Sequence, residues 1–123
     1  MKNEIYSEIT DILLTLGFKP KYHGFDFLRD IVYIYSTSDV SEDKLTIDAY
    51  PMVAEKYNST TMIVERSIRL MIREAFEEKR LLNLNILFDE VVYDGSYSFS
   101  NNELITLILE LIRFRQLKKE FDK

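Results

Sequence analysis

Cysteine is absent from this chain of 123 residues. That excludes disulfides, thiolate zinc sites and cysteine nucleophiles together. The single histidine, His23, is too little for an imidazole-based metal site. Glycine (3) and proline (2) are scarce, as expected where helices dominate and turns are few. No apolar run approaches the roughly 18 residues that a membrane span needs. Met1-Lys2-Asn3-Glu4 opens no signal-peptide pattern, so a cytoplasmic location is expected, with no membrane partner. Positive charge is also short: 16 Lys and Arg stand against 21 Asp and Glu, a net charge of −5. Nucleic-acid-binding domains are usually basic, because phosphate contacts supply much of their affinity. The placement of the cations along the chain therefore decides whether that class of partner remains open.

What is present is a large apolar fraction, 46% of residues. A chain this long buries well over half of its unfolded surface, so it needs no metal or disulfide staple. The length suits one domain over residues 1–123. Ile5, Ile9, Ile12, Leu13 and Leu16 recur at helical spacing, which predicts a helix over residues 3–16 closed by Gly17. Lys19–His23 reads as a short basic loop. Phe25, Leu28, Ile31, Val32 and Tyr35 predict a second helix over 25–35. Ser36–Asp48 is polar and acidic, with a turn and a short helical piece expected. A short helix over 50–57 follows, with Pro51 in its first turn. A long helix is predicted from Thr61 to about Lys79, a short one over 81–88, a loop with an Asp94-Gly95-Ser96 turn over 91–99, and a last helix over 102–120. The fold class is all-α, about six helices around a helix-turn-helix at 50–76.

The helix-turn-helix reading rests on spacing. The first helix needs a small residue where the second crosses it. The turn needs a residue that accepts positive φ, and the second helix needs an apolar plug in the angle between them. Ala54, Asn58 and Val64 meet these demands at i, i+4 and i+10, and Thr60 or Thr61 can cap the second helix. In that helix Val64, Ile68, Met71, Ile72 and Ala75 form an apolar stripe, extended by Phe76. The opposite face carries Met62, Ile63, Arg66, Arg69, Leu70 and Arg73. Arginines on such a line can bond a guanine edge bidentately or hold phosphates; a merely solvated face is the plainer alternative.

Charge along the chain is polarised. Residues 58–80 hold five Lys and Arg against four Glu, and 17–29 hold Lys19, Lys21 and Arg29 against Asp26. Residues 81–104 hold no cation and four acids: Asp89, Glu90, Asp94 and Glu103. That pattern allows DNA binding and predicts weak affinity with a shallow salt slope. An enzyme is not expected. His23 is alone, the carboxylates are scattered, and Tyr22, Tyr57 and Tyr97 have no partner set for acid–base work. No cofactor is implied.

The segments Tyr50-Pro51-Met52-Val53-Ala54-Glu55-Lys56-Tyr57-Asn58-Ser59-Thr60-Thr61 and Val64-Glu65-Arg66-Ser67-Ile68-Arg69 resemble the DNA-binding effector domain of the stage-zero sporulation master regulator of endospore-forming bacteria. The likeness runs upstream through Gly24-Phe25-Asp26-Phe27-Leu28-Arg29 to Gly17, and downstream through Leu87-Phe88 to the last helix. It implies six helices, with the Thr61 helix reading the major groove. It also implies a transcription factor that binds a short asymmetric box, often in tandem copies. Under it, Glu65 and Arg66 match a base-reading pair, while Arg69 and Lys56 match basic positions near the backbone. Two residues depart: Ile63 stands where the family places a DNA-contacting arginine, and Leu70 where it places a histidine. The regulator's phosphoacceptor receiver domain has no counterpart in these residues, so phosphorylation-driven dimerisation is not expected within this chain. The candidate DNA-binding set is Glu65, Arg66, Arg69, Arg73, Lys56, Thr60, Thr61, Met62, Ile63 and Leu70. Double-stranded DNA is the expected partner. The alternative is a protein-interaction or decoy module on the same fold, motivated by exposed Met62, Ile63 and Leu70. The wide apolar arc Leu104–Ile112 predicts core packing, with self-association through its outer side as the other use.

Overall fold

A computed structural model of the protein describes residues 2–37 and 45–122. Six α-helices account for most of them: α1 (Lys2–Thr15), α2 (His23–Thr37), α3 (Leu45–Lys56), α4 (Thr61–Glu77), α5 (Leu84–Phe88) and α6 (Asn101–Phe121). A 3₁₀ turn, Arg80–Asn83, precedes α5, and no strand occurs among the described residues. The all-α expectation and its six helices hold.

Helix ends follow local chemistry. α1 closes on Gly17 at φ 81, where the Phe18 N–H donates to the Leu13 carbonyl and the Gly17 N–H to that of Leu14. This pair of bonds satisfies carbonyls that the helix end leaves open. α2 is longer than the apolar pattern suggests. It starts at His23, taking the end of the expected basic loop. At its other end the Ser36 and Thr37 hydroxyls both donate back to the Tyr33 carbonyl, and the helix runs on to Thr37. α6 is anchored by a full capping box. The Ser100 hydroxyl accepts from the Glu103 N–H, and the Glu103 carboxylate accepts from the Ser100 N–H.

α2 is the hub, packing against α1, α3, α4 and α6. Its Phe25, Leu28, Ile31 and Val32 meet Ile12, Leu13 and Leu16 of α1, Ile68 and Ile72 of α4, and Ile105 and Ile108 of α6 in one continuous buried cluster. Burial of each such side chain contributes about 1.5–3 kcal/mol before conformational entropy is counted. α6 resolves into two halves. Leu104, Ile105, Ile108, Leu109, Leu111 and Ile112 are buried, whereas Phe114, Leu117 and Phe121 are exposed. Arg115, half-buried, reaches Glu8 of α1 at 3.5 Å.

Two expectations need correction. α3 begins at Leu45, not Tyr50, so Pro51 lies inside the helix rather than in its first turn. Ala49 and Tyr50 are buried, and that packing offsets the backbone donor that proline removes. The expected helix over 81–88 is instead the 3₁₀ turn followed by α5, joined at Leu84. Part of the acidic stretch 36–48, namely residues 38–44, lies outside the described residues. The loop over 91–99 is present, yet it is not purely a surface feature: Tyr93 is buried and packs its ring against Tyr97 and Phe99.

Candidate nucleic-acid interface

The turn between α3 and α4 is set by three consecutive residues. Asn58 sits at φ 52. Its N–H donates to the Glu55 carbonyl at 3.1 Å, and the Ser59 N–H donates to that of Ala54 at 2.8 Å, a complete Schellman closure of α3. Thr60 then adopts φ −121, ψ 157, and its hydroxyl accepts from the Ile63 N–H at 3.1 Å. Of the two threonines that could cap α4, Thr60 does so. Thr61 is half-buried in the first turn. Ala54 and Val64 are both buried at the crossing, in the roles their spacing assigns.

α4 sorts its faces as the pattern requires. Val64, Ile68, Met71, Ile72 and Ala75 are buried. Met62 is 77% exposed, Ile63 52% and Leu70 46%, and Arg66, Arg69 and Arg73 are exposed beside them. None of these three arginines forms an ion pair or hydrogen bond among the described residues. Three neighbouring cations are engaged. Lys19 and Arg80 both lie 3.1 Å from the Glu74 carboxylate, and Arg29 is 2.9 Å from Asp26. The Tyr22 hydroxyl also donates to Glu74 at 3.2 Å. The Lys19 ammonium holds the Glu74 carboxyl below its ordinary value. Around α4, Lys19, Arg29 and Arg80 are thus paired with acids, whereas Arg66, Arg69 and Arg73 form an unpaired line on its outer face.

The remaining sequence candidates fall in two places. Glu65 is half-buried at the side of α4. Its main-chain carbonyl accepts from the Asn101 side-chain amide at 2.9 Å. A cavity of about 280 Å³ opens there, lined by Tyr50, Glu65, Arg69, Phe99 and the start of α6. Glu65 therefore stands some 100° around the helix from Arg66, at the edge of the outer line. Lys56 is not on that line: its ammonium lies 2.7 Å from Asp30.

A second element abuts the same helix. Gly24, in the first turn of α2, lies so close to α4 that a Cβ there would come within 2.8 Å of the Ser67 carbonyl oxygen. Beside this contact a groove of about 370 Å³ runs between Tyr22, His23, Leu70 and Glu74. Gly24 carried no reading beyond family likeness in the sequence, because a close approach between helices leaves no local pattern. Among the described residues no group of His, Asp and Glu is arranged to hold a metal, and no helix is long and apolar enough to cross a membrane.

Helix, Schellman turn, capped helix and an outward line of unpaired arginines together define a helix-turn-helix domain. The family model for the sporulation initiation factor Spo0A C terminal matches residues 9–112. The chain belongs to this family, one of DNA-binding effector domains.

Proposed function

We propose that the protein is a stand-alone DNA-binding transcriptional regulator, acting as one unit, that lays α4 in the major groove. The observation that carries this reading is the line of unpaired arginines, Arg66, Arg69 and Arg73, on the exposed face of a capped second helix. Arg66 donates to a guanine edge, with Glu65 beside it accepting from a cytosine amino group. Arg69 and Arg73 hold phosphates, and the end of the turn, exposed Thr60 and half-buried Thr61, meets the sugar–phosphate backbone. Met62, Ile63 and Leu70 supply apolar contact, for which thymine methyls are the matching base feature. Having these side chains where polar contacts would serve narrows the bases the helix can read. The test is a gel shift with the family's asymmetric box against a scrambled duplex. The wild type retards the box selectively, and Arg66→Ala abolishes the preference. Equal, weak retardation of both duplexes overturns the proposal.

A second reading has its own observation. Met62, Ile63 and Leu70 place three large apolar side chains on one exposed helix face, and such clusters often mark a protein partner site. A protein-interaction or decoy module would bind a regulatory protein, or a second copy of itself, through that face. Sedimentation of a monomer at all concentrations, with no partner in pull-down and selective DNA retardation, rejects it.

A further inference from the structure

Asp30 is the buried charged residue of the described core, 5% exposed at the middle of α2. Three side chains from two other segments converge on its carboxylate. The Tyr6 hydroxyl of α1 donates to Oδ1 at 3.2 Å. The Lys56 ammonium donates to Oδ2 at 2.7 Å, and the Tyr57 hydroxyl donates to the same oxygen. Lys56 ends α3 and Tyr57 follows it, so the carboxylate grips the chain immediately ahead of Asn58, where the helix-turn-helix bends. The Tyr57 ring packs edge-on against Phe27, one turn earlier on α2, at 5.3 Å. Arg29, the nearest other cation in sequence, is held by Asp26 and lies over the Tyr6 ring.

Asp30 is buried but the Lys56 side chain is 60% exposed, so the pair adds little net stability: solvent screens the attraction and desolvation of the carboxylate offsets it. What directional bonds supply is orientation. An apolar plug between α2 and α3 would let the end of α3 rotate; a carboxylate bonded to two successive residues does not. The orientation of that end sets the direction in which the turn launches α4. The same contact neutralises a cation that, by its place beside the turn, would otherwise face phosphate.

We infer that Asp30 is a positioning residue for DNA recognition: it clamps the end of α3 so that α4 presents its reading line in one orientation, and it withdraws Lys56 from the cations available to DNA. This rests on the DNA-binding reading. It makes two claims that a merely structural core residue would not. Lys56 contributes nothing to the salt slope of binding. Loss of the clamp lowers selectivity while strengthening non-specific binding.

The experiment is a set of salt titrations with the family's box and a scrambled duplex on wild type, Asp30→Asn, Lys56→Met and Tyr57→Phe. Lys56→Met leaves the slope of log K against log salt unchanged. Asp30→Asn frees Lys56 and steepens the slope by up to about 0.9, one phosphate contact. In Asp30→Asn and Tyr57→Phe the preference for the box falls at least about fivefold, the scale of one lost base-pair contact. With Asp30→Asn, binding to the scrambled duplex rises. A Lys56→Met slope shallower by about 0.9 overturns the proposal, as does an equal loss of binding to both duplexes. Lys56→Met and Tyr57→Phe keep the test decisive even if Asp30→Asn fails to fold. Urea midpoints without DNA separate the two layers. Non-additive midpoints across Asp30→Asn, Lys56→Met and the double variant are expected, and additive ones refute the clamp whatever the DNA result. A wild type that binds no duplex refutes the DNA reading and with it the positioning role, and non-additive midpoints then leave a structural clamp alone.

Discussion

Replacing Asn58 by alanine isolates the backbone cost at the centre of the helix-turn-helix. Asn58 stands at φ 52, is exposed, and its side chain makes no hydrogen bond among the described residues. The substitution therefore removes no packing and no partner. What changes is the tolerance of the left-handed conformation. That conformation costs an ordinary L-residue about 1–2 kcal/mol, and asparagine adopts it more readily than most. The expected loss for Asn58→Ala is about 1 kcal/mol. For a chain of 123 residues, an unfolding entropy of about 2.1 cal/mol/K per residue converts 1 kcal/mol to about 4 °C in Tm. Asn58→Gly accepts the same φ freely, an advantage offset by its greater freedom in the unfolded chain, so its Tm stays within about 2 °C of wild type. Thermal melts followed by circular dichroism measure both. Equal falls for the two variants would place the effect in the asparagine side chain and refute the backbone argument, and so would no fall with alanine.

Three further outcomes follow from other parts of the molecule. Gly24→Ala forces a methyl to within 2.8 Å of the Ser67 carbonyl oxygen, and the urea midpoint should drop by the equivalent of about 1–3 kcal/mol, the usual cost of overpacking. With Arg69 and Arg73 each neutralising one phosphate, the slope of log K against log salt is about −1.8 for B-form DNA; a slope near zero would show that these arginines do not meet the backbone. Burial pushes the Tyr50 phenol up to about 12 from an ordinary value of 10.0, and Tyr57 is also raised, by burial and by the Asp30 carboxylate. A folded-state value above the unfolded one gives stability that is complete below about pH 10 and is lost as pH rises toward 12. The urea midpoint should fall across that window, and Tyr50→Phe should flatten the fall.

The parts of this protein that were legible before folding are those written in short stretches of chain. The Ala54, Asn58 and Val64 spacing was readable because positive φ and a helical crossing make demands within ten residues of one another. The buried stripe of α4 follows from a 3.6-residue period, and every member of it is buried. The Ser100-Asn101-Asn102-Glu103 capping box was equally local; an S-x-x-E pattern would have placed the start of α6 one residue earlier than apolar spacing did. The start of α3 was misplaced for a different reason. Proline argues against a helix interior on propensity alone, and only the burial of Ala49 and Tyr50 outweighs it.

Charge shows where sequence reading stops. The chain alone determined that cations gather around the helix-turn-helix and are missing from residues 81–104. It also determined that Arg66, Arg69 and Arg73 share one helix face, since that is periodicity. It could not determine which cations are free. Lys56 reads as a basic residue beside the turn, and Asp30 as one acid among many on an amphipathic helix. Their pairing, with Tyr6 and Tyr57, joins groups 24–27 positions apart. Tyr93 reads as a loop residue and is buried because its ring packs on Phe99 and the Asn85 side chain of α5 bonds its backbone. Helix faces obey nearest-neighbour geometry, which a sequence carries, although the start of α3 does not. Ion pairing and burial depend on which distant segments the core brings together, and only the tertiary structure decides that.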